Sequence, residues 1–350
     1  MYKSKIQNPE FKIFLGVDGG QSHTDALIAD ESGNILGRGL GGASNHAEHP
    51  GGRERLRNAV LKSVGEAILD AETRRRGDAE KYFSELSNLD VVSGYHFASA
   101  HFGMTGGADY KKEIIGEMVK AEFLTVGHDA PNALFGATAG KSGIVVIAGT
   151  GSVVYGENET GETSKIGGLG YLFSDEGSGF WLSAQIIRLA IKEQDNLIEK
   201  NNLENLVLKF FGREKIRQIT DDFYNAKITR DELASFAKKA HEAAETGNVV
   251  IQEQIKFGAN VLAESILSAA RQLKFHDAFP VAGVGGMFRA RLMKKYFAEI
   301  LQTKIPHAAL IEPRFDPAIG AVLMAYRQAK IKINEGLLTN LENSAKRKGA

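Results

Sequence analysis

At roughly 150 residues per domain, a chain of 350 residues predicts about two domains. Hydrophobic residues at 43% and charged residues at 25% exclude global disorder, and 43 Lys+Arg against 43 Asp+Glu leaves none of the basic excess of a nucleic-acid or anionic-membrane binder. The absence of cysteine excludes a disulfide framework, a Cys-ligated zinc site, a protein-bound iron–sulfur cluster and a Cys nucleophile.

Phe11–Val17 reads as a buried strand ending in Asp18-Gly19-Gly20-Gln21-Ser22-His23-Thr24. Its apolar part, Ile13–Val17, is too short for a signal-peptide core or a membrane span, so a soluble cytoplasmic protein is expected. Strands Asp25–Asp30 and Ile35–Leu40 flank a Ser32-Gly33-Asn34 turn and form a hairpin. Apolar residues spaced by three and four predict a helix over 52 to about 86. Residues 91–105 contain a strand, 110–121 a helix and 123–126 a strand leading to Gly127-His128-Asp129; 130–140 is a short Ala-rich helix.

The pattern then restarts with strand Gly143–Ala148, the turn Gly149-Thr150-Gly151-Ser152 and strand Val153–Glu157, with Ser164–Gly168 as a third strand. This echoes residues 11–40 in architecture and suggests two related domains in tandem. Residues 179–274 are mostly helical. Strand 280–284 ends in Gly285-Gly286, helix 288–302 and strand 308–311 follow, and a final helix starts at Pro317 behind the N-cap Asp316. Strands alternating with helices make the class α/β.

Four sites carry candidate chemistry. Asp18 leaves an apolar strand, where a magnesium ion or its waters would offset its charge; the alternative is a hairpin turn in which Asp18 bonds its own backbone. Gly149-Thr150-Gly151-Ser152 offers backbone N–H groups and hydroxyls to a phosphate, or is a plain turn. It is neither a Walker A loop nor a Rossmann fingerprint. Asp129, between a strand and a helix, suits a general base or a helix N-cap. Residues 167–181 set Asp175 and Glu176 among five glycines and the single Trp181, where the acids would bond sugar hydroxyls, ligate metal or cap the next helix. His46 and His49 lack an evident third metal ligand. The basic runs at 74–76 and 346–348 read as exposed ends.

As a set, the two Gly-rich hairpins, Asp129 and Val284-Gly285-Gly286 resemble the actin-like ATPase and sugar-kinase superfamily. Within it, Ser44-Asn45-His46, Gly168-Leu169-Gly170, Asp175-Glu176-Gly177-Ser178-Gly179 and Asp316-Pro317-Ala318-Ile319-Gly320-Ala321 resemble the N-acetylglucosamine kinase and BadF/BadG-type ATPase family. The matches span residues 13 to about 326. The resemblance implies two tandem ribonuclease-H-like domains with ATP in the cleft between them: 1–140, onto which a C-terminal helix at about 317–350 packs back, and 141–316 with a helical insertion at about 180–275. It implies transfer of the γ-phosphoryl group of ATP to the 6-hydroxyl of an amino sugar, N-acetyl-D-glucosamine first, with a homodimer as the candidate assembly.

By that match, Asp129 is the general base and Asp18 organises Mg2+ through water. Gly19, Gly20, Ser22 and Thr24, with Gly149, Thr150 and Gly151, hold the phosphates, and Gly285 and Gly286 line the nucleotide site. Asn45, Ser152, Gly168, Gly170 and Asp175 bind the sugar. Val153 stands where the vertebrate-type enzymes carry Asn, and Leu169 where a Trp is frequent, so glucosamine, N-acetylmuramate and glucose remain alternatives. A sugar-sensing or regulatory protein is the rival class, but residues 1–12 leave no room for a helix-turn-helix. The family's other branch activates radical dehydratases through a Cys-ligated cluster, for which this chain has no ligands.

Overall fold

The computed structural model describes residues 11–20, 22–44, 50–77, 86–106 and 109–346. In chain order the elements are β1 (Ile13–Gly19), β2 (Thr24–Asp30), β3 (Ile35–Gly41), α1 (Gly52–Arg76), α2 (Asn88–Gly94), β4 (His96–Met104), α3 (Asp109–Gly116), β5 (Lys120–Gly127) and α4 (Ala130–Thr138). Then come β6 (Gly143–Ala148), β7 (Ser152–Glu157), β8 (Thr163–Gly167), α5 (Gly179–Gln194), α6 (Leu203–Phe211), α7 (Ile216–Tyr224), α8 (Arg230–Glu245) and α9 (Val249–Gln272). The last are β9 (Phe279–Val284), a 3-10 turn (Gly286–Arg289), α10 (Arg291–Lys304), β10 (Ala308–Ile311), α11 (Pro317–Gln328) and α12 (Glu335–Lys346). The chain divides into two compact units, Met1–Lys141 with Pro313–Ala350, and Ser142–Glu312.

In the first unit the five-stranded sheet runs β3-β2-β1-β4-β5. β1, β2 and β3 form an antiparallel meander, and β4 and β5 add in parallel beside β1. Parallel strands are covered on both faces, and β1 shows it: Phe14, Leu15 and Val17 are all buried. Ile13, Leu15 and Val17 join one core with Leu56, Val60 and Val64 of α1. Phe14, pointing the other way, meets Tyr326 of α11 edge-on at 4.8 Å. Alternate residues of β3 are Gly37, Gly39 and Gly41, where Cβ atoms would stand 1.9, 2.1 and 2.2 Å from carbonyl oxygens of α1. Only glycine allows the helix to lie that close to the strand.

In the second unit the order is β8-β7-β6-β9-β10 when read from the meander edge, the same arrangement. β6, β7 and β8 are antiparallel; β9 and β10 add in parallel beside β6. Ile144 and Val146 of β6 share one core with α5, α8 and α9 through Ile186, Phe236 and Leu262. The restart read in the sequence is therefore a repeat of sheet topology.

The structure refines the sequence expectation in several places. The predicted 52–86 helix ends at Arg76, where Gly77 turns left-handed (φ 80°) and its N–H donates to the Thr73 carbonyl at 2.8 Å. Within 91–105 the chain first finishes α2, opened by a Ser87–Asp90 capping box, before β4. The single C-terminal helix over 317–350 is instead two helices, α11 and α12. Lys330 takes a left-handed φ of 58°, and Asn334 restarts the helix by accepting from the Leu337 N–H at 3.0 Å. Among the described residues no helix is long and apolar enough to cross a membrane.

Candidate active site

In the first unit, three parallel strands end side by side. The register pairs Gly19 of β1 with Met104 of β4, and Gly103 of β4 with Gly127 of β5. Asp18, Thr105 and Asp129 therefore emerge along one sheet edge, the edge at which open α/β sheets bind ligands. The Thr105 N–H donates to the Gly19 carbonyl at 2.8 Å, tying β4 to β1. The Thr105 hydroxyl donates to Asp129 Oδ2 at 2.6 Å. Fully buried Lys111 donates its ammonium to the Thr105 carbonyl.

Asp129 sits at the start of α4 with its backbone already helical (φ −75°, ψ −22°) and makes no side-chain capping bond. Its carboxylate is half-buried, and Oδ1 accepts no hydrogen bond from the described residues. The helix-cap alternative thus lacks its defining bond, and one oxygen stays free to accept a proton.

Asp18 is held by Asn132 of α4, whose amide donates to Oδ1 at 2.8 Å. Burial pushes the Asp18 carboxyl up to about 7; Asn132 lowers it, and the carboxylates of Asp129, Asp25 and Asp316 raise it further. Asp25 has a cation, Arg38, hydrogen-bonded through Nε at 3.0 Å and ion-paired through Nη2. Among the described residues Asp18 has no basic partner, so its surroundings suit a bound cation. No group of three His, Asp or Glu side chains among them is arranged to ligate a metal directly.

The glycine turn after β1 closes through the Gly20 N–H, which donates to the His23 carbonyl at 2.9 Å. Ser22 is exposed there. Thr24 is fully buried and its hydroxyl donates to the Gly42 carbonyl at 2.8 Å. β2 begins at Thr24, one residue earlier than the sequence suggests, so Thr24 is a buried strand residue whose hydroxyl ties β2 to the end of β3 rather than an exposed member of the glycine turn. Asn45, His46 and His49 lie outside the described residues. Ser44, just before them, packs on Gly19, where a Cβ would stand 2.6 Å from Ser44 Oγ.

In the second unit, β6 and β9 are parallel, with Ile147 beside Val284. Gly149-Thr150 and Gly285-Gly286 therefore share one edge. Gly285 (φ 98°) has no room for a side chain, since a Cβ would lie 2.5 Å from the Ala148 carbonyl oxygen. The Gly149 carbonyl accepts from the Gly179 N–H at 2.7 Å, anchoring the turn to the start of α5. A cavity of about 850 Å3 opens here, lined among others by Gly149, Thr150, Asp231, His241, Gly286 and Arg289. That volume suits a drug-sized ligand or cofactor. His241 is buried, neither ring nitrogen has a hydrogen-bond partner, and burial pushes its pKa down to about 4. It is neutral at pH 7.

Gly151 and Ser152 stand at the other side of this turn. Ser152 Oγ donates to the Glu176 carbonyl at 2.8 Å. Asp175 is buried in a left-handed conformation (φ 67°). Burial raises its pKa, while the Ser152 backbone N–H and Arg230 lower it. Gly168 (φ 69°) and Gly170 (φ 98°) shape the loop before it.

The pattern of residues 15–325 matches the family model described as the BadF/BadG/BcrA/BcrD ATPase family. The chain belongs to this family. It is 27% identical over 322 residues to an N-acetylmuramic acid/N-acetylglucosamine kinase of Clostridium acetobutylicum, covering 90% of this chain and 98% of that protein. It is 27% identical over 334 residues to an N-acetyl-D-glucosamine kinase of Dictyostelium discoideum, covering 91% and 99%. A crystal structure from Chromobacterium violaceum superimposes with a TM-score of 0.67 at 24% identity, covering 91% of this chain and all (100%) of that one. The fold is that of the actin-like ATPases.

Asn132, Lys111, Asp231, His241 and Arg230 belong to no motif read from the sequence. Helix packing brings Asn132 to Asp18, and only the helical spacing of 231 and 241 on α8 could have hinted at a shared cavity wall.

Proposed function

We propose that this family member is an ATP-dependent kinase that transfers the γ-phosphoryl group to the 6-hydroxyl of an amino sugar, N-acetyl-D-glucosamine first. The observation that carries the reading is Asp129 just after β5, with Oδ2 fixed by Thr105 and Oδ1 accepting no hydrogen bond from the described residues. A substrate hydroxyl donating to Oδ1 would lose its proton there as its oxygen attacks phosphorus. The names of the Clostridium and Dictyostelium relatives support the substrate class.

Phosphoryl transfer asks mainly for positioning and charge stabilisation. Asp18, with carboxylates around it and no basic partner among the described residues, fits Mg2+ held through water; bound there, the ion would offset phosphate charge. Asn132 orients Asp18 for that task. Gly19, Gly20, Ser22, Gly149, Thr150 and Gly151 are assigned to the phosphates, with the hydroxyls of Ser22 and Thr150 as donors. The 850 Å3 cavity takes the nucleoside, with Gly286 in its lining and Gly285 supporting it. Asn45, Ser152, Gly168, Gly170 and Asp175 are assigned to the sugar.

Replacement of Asp129 by Asn tests the assignment. Phosphorylation should fall by at least about 100-fold, the scale of general base catalysis, with MgATP affinity kept. Full activity of Asp129→Asn would overturn the base.

A further inference from the structure

Arg230 is the first residue of α8, and its side chain makes no hydrogen bond with the described residues. Its ionic partner is Asp175, with Nη2 to Oδ2 at 3.9 Å. That is well outside the short charge-assisted contact of a closed arginine–carboxylate pair. Its Nε is sealed from water and has no acceptor. Its guanidinium carbon stands 5.7 Å from the ring centre of Tyr171, so the ring covers one face. Nη2 would be 3.1 Å from a Cβ on Gly151, which puts the guanidinium edge against the Gly149–Ser152 turn. The next residue, Asp231, lines the large cavity, whereas Arg230 turns to Asp175 and the turn.

An arginine held only to neutralise Asp175 would close onto it in a fork. Here Asp175 is buried and locked in a left-handed conformation. The fork is left open, and the side chain keeps 26% exposure. Stacking on Tyr171 and burial of Nε pre-orient the cation while its outer N–H groups remain to be used. An oxyanion is the ligand chemistry that such a planar donor set matches.

We propose that Arg230 binds an anionic oxygen group of a substrate at the Gly149–Ser152 turn. The group is either a carboxylate carried by the acceptor sugar or the phosphoryl group in transfer. This rests on the kinase reading above.

The test compares wild type, Arg230→Gln and Arg230→Lys. It uses N-acetylglucosamine, its 3-O-lactyl ether N-acetylmuramate, MgATP and MgADP, with binding read by calorimetry beside steady-state kinetics. A carboxylate ligand predicts at least a tenfold loss for Arg230→Gln on the lactyl ether and less than twofold on the neutral sugar. A phosphoryl ligand predicts equal tenfold losses in kcat with both sugars, and MgATP affinity falling more than MgADP affinity. Arg230→Lys keeps the charge without the fork and should lose at least threefold on the same ligand. It decides the matter alone if Arg230→Gln shows no cooperative melt. Both variants within twofold of wild type on every ligand would overturn the proposal, as would wild type binding none of the four. If wild type binds ligands but turns over neither sugar, the kinase reading fails and calorimetry still decides Arg230.

Discussion

The side-chain amide of Asn132 donates to Asp18 Oδ1 at 2.8 Å, joining the first turn of α4 to the end of β1. Asp129 lies three residues before Asn132, so the same helix start that orients the proposed metal-organising carboxylate also carries the proposed base. The two acids are coupled: the Asp129 charge is one of the causes that raise the Asp18 pKa.

Asp18 makes stability depend on pH. Its folded pKa of about 7 lies above the ordinary carboxylate value of about 3.9. Between those values the folded state keeps a proton that the unfolded chain has released, so this group's contribution falls as pH climbs from about 4 to about 7. Asp18→Asn removes that dependence while keeping an acceptor for Asn132. In chelator-treated, nucleotide-free buffer the variant should melt higher than wild type at pH 8, by a few kcal/mol at about 1.4 kcal/mol per tenfold in proton affinity. The gap should close toward pH 4. Parallel pH profiles for the two proteins would contradict this, and phosphorylation should be lost throughout.

Thr105→Val removes the hydroxyl that fixes Asp129 Oδ2. The base keeps its place on α4 but loses one restraint, so kcat should fall about tenfold, roughly 1.4 kcal/mol of transition-state stabilisation. The KM for sugar should change little. A change in KM alone would assign Thr105 to substrate binding.

Two glycines predict opposite outcomes. At Gly320 of α11 a Cβ would stand 1.9 Å from the Asn132 carbonyl oxygen, on backbone that cannot yield cheaply. Gly320→Ala should cost at least about 1–3 kcal/mol of stability, the scale of overpacking, and reduce activity by moving Asn132. At Gly286 nothing lies within 4 Å of an added Cβ. Gly286→Ala should melt like wild type, within about 0.5 kcal/mol, yet raise the KM for ATP because the methyl enters the cavity. Denaturant melts paired with ATP titrations read both.

The hairpins were legible because glycine turns and apolar runs are local signals. The strand-end acids were legible because Asp18 follows an apolar run directly and Asp129 follows another after Gly127-His128. Thr24 was misread through a one-residue boundary: a residue inside β2 bonds the Gly42 carbonyl across to the end of β3, and only the register shows that. The break between α11 and α12 was missed because Lys330 carries no sign of a left-handed turn. Arg230 and His241 were invisible for a different reason. Their roles come from what packs around them, Asp175 and Tyr171 for one and the cavity wall for the other.

The most direct measurement is ADP release with MgATP across N-acetylglucosamine, glucosamine, N-acetylmuramate, N-acetylmannosamine and glucose, with a no-sugar control. The kinase account predicts one amino sugar raising turnover at least tenfold above the control, and that rise vanishing in Asp129→Asn. Turnover that is the same with and without every sugar would contradict it.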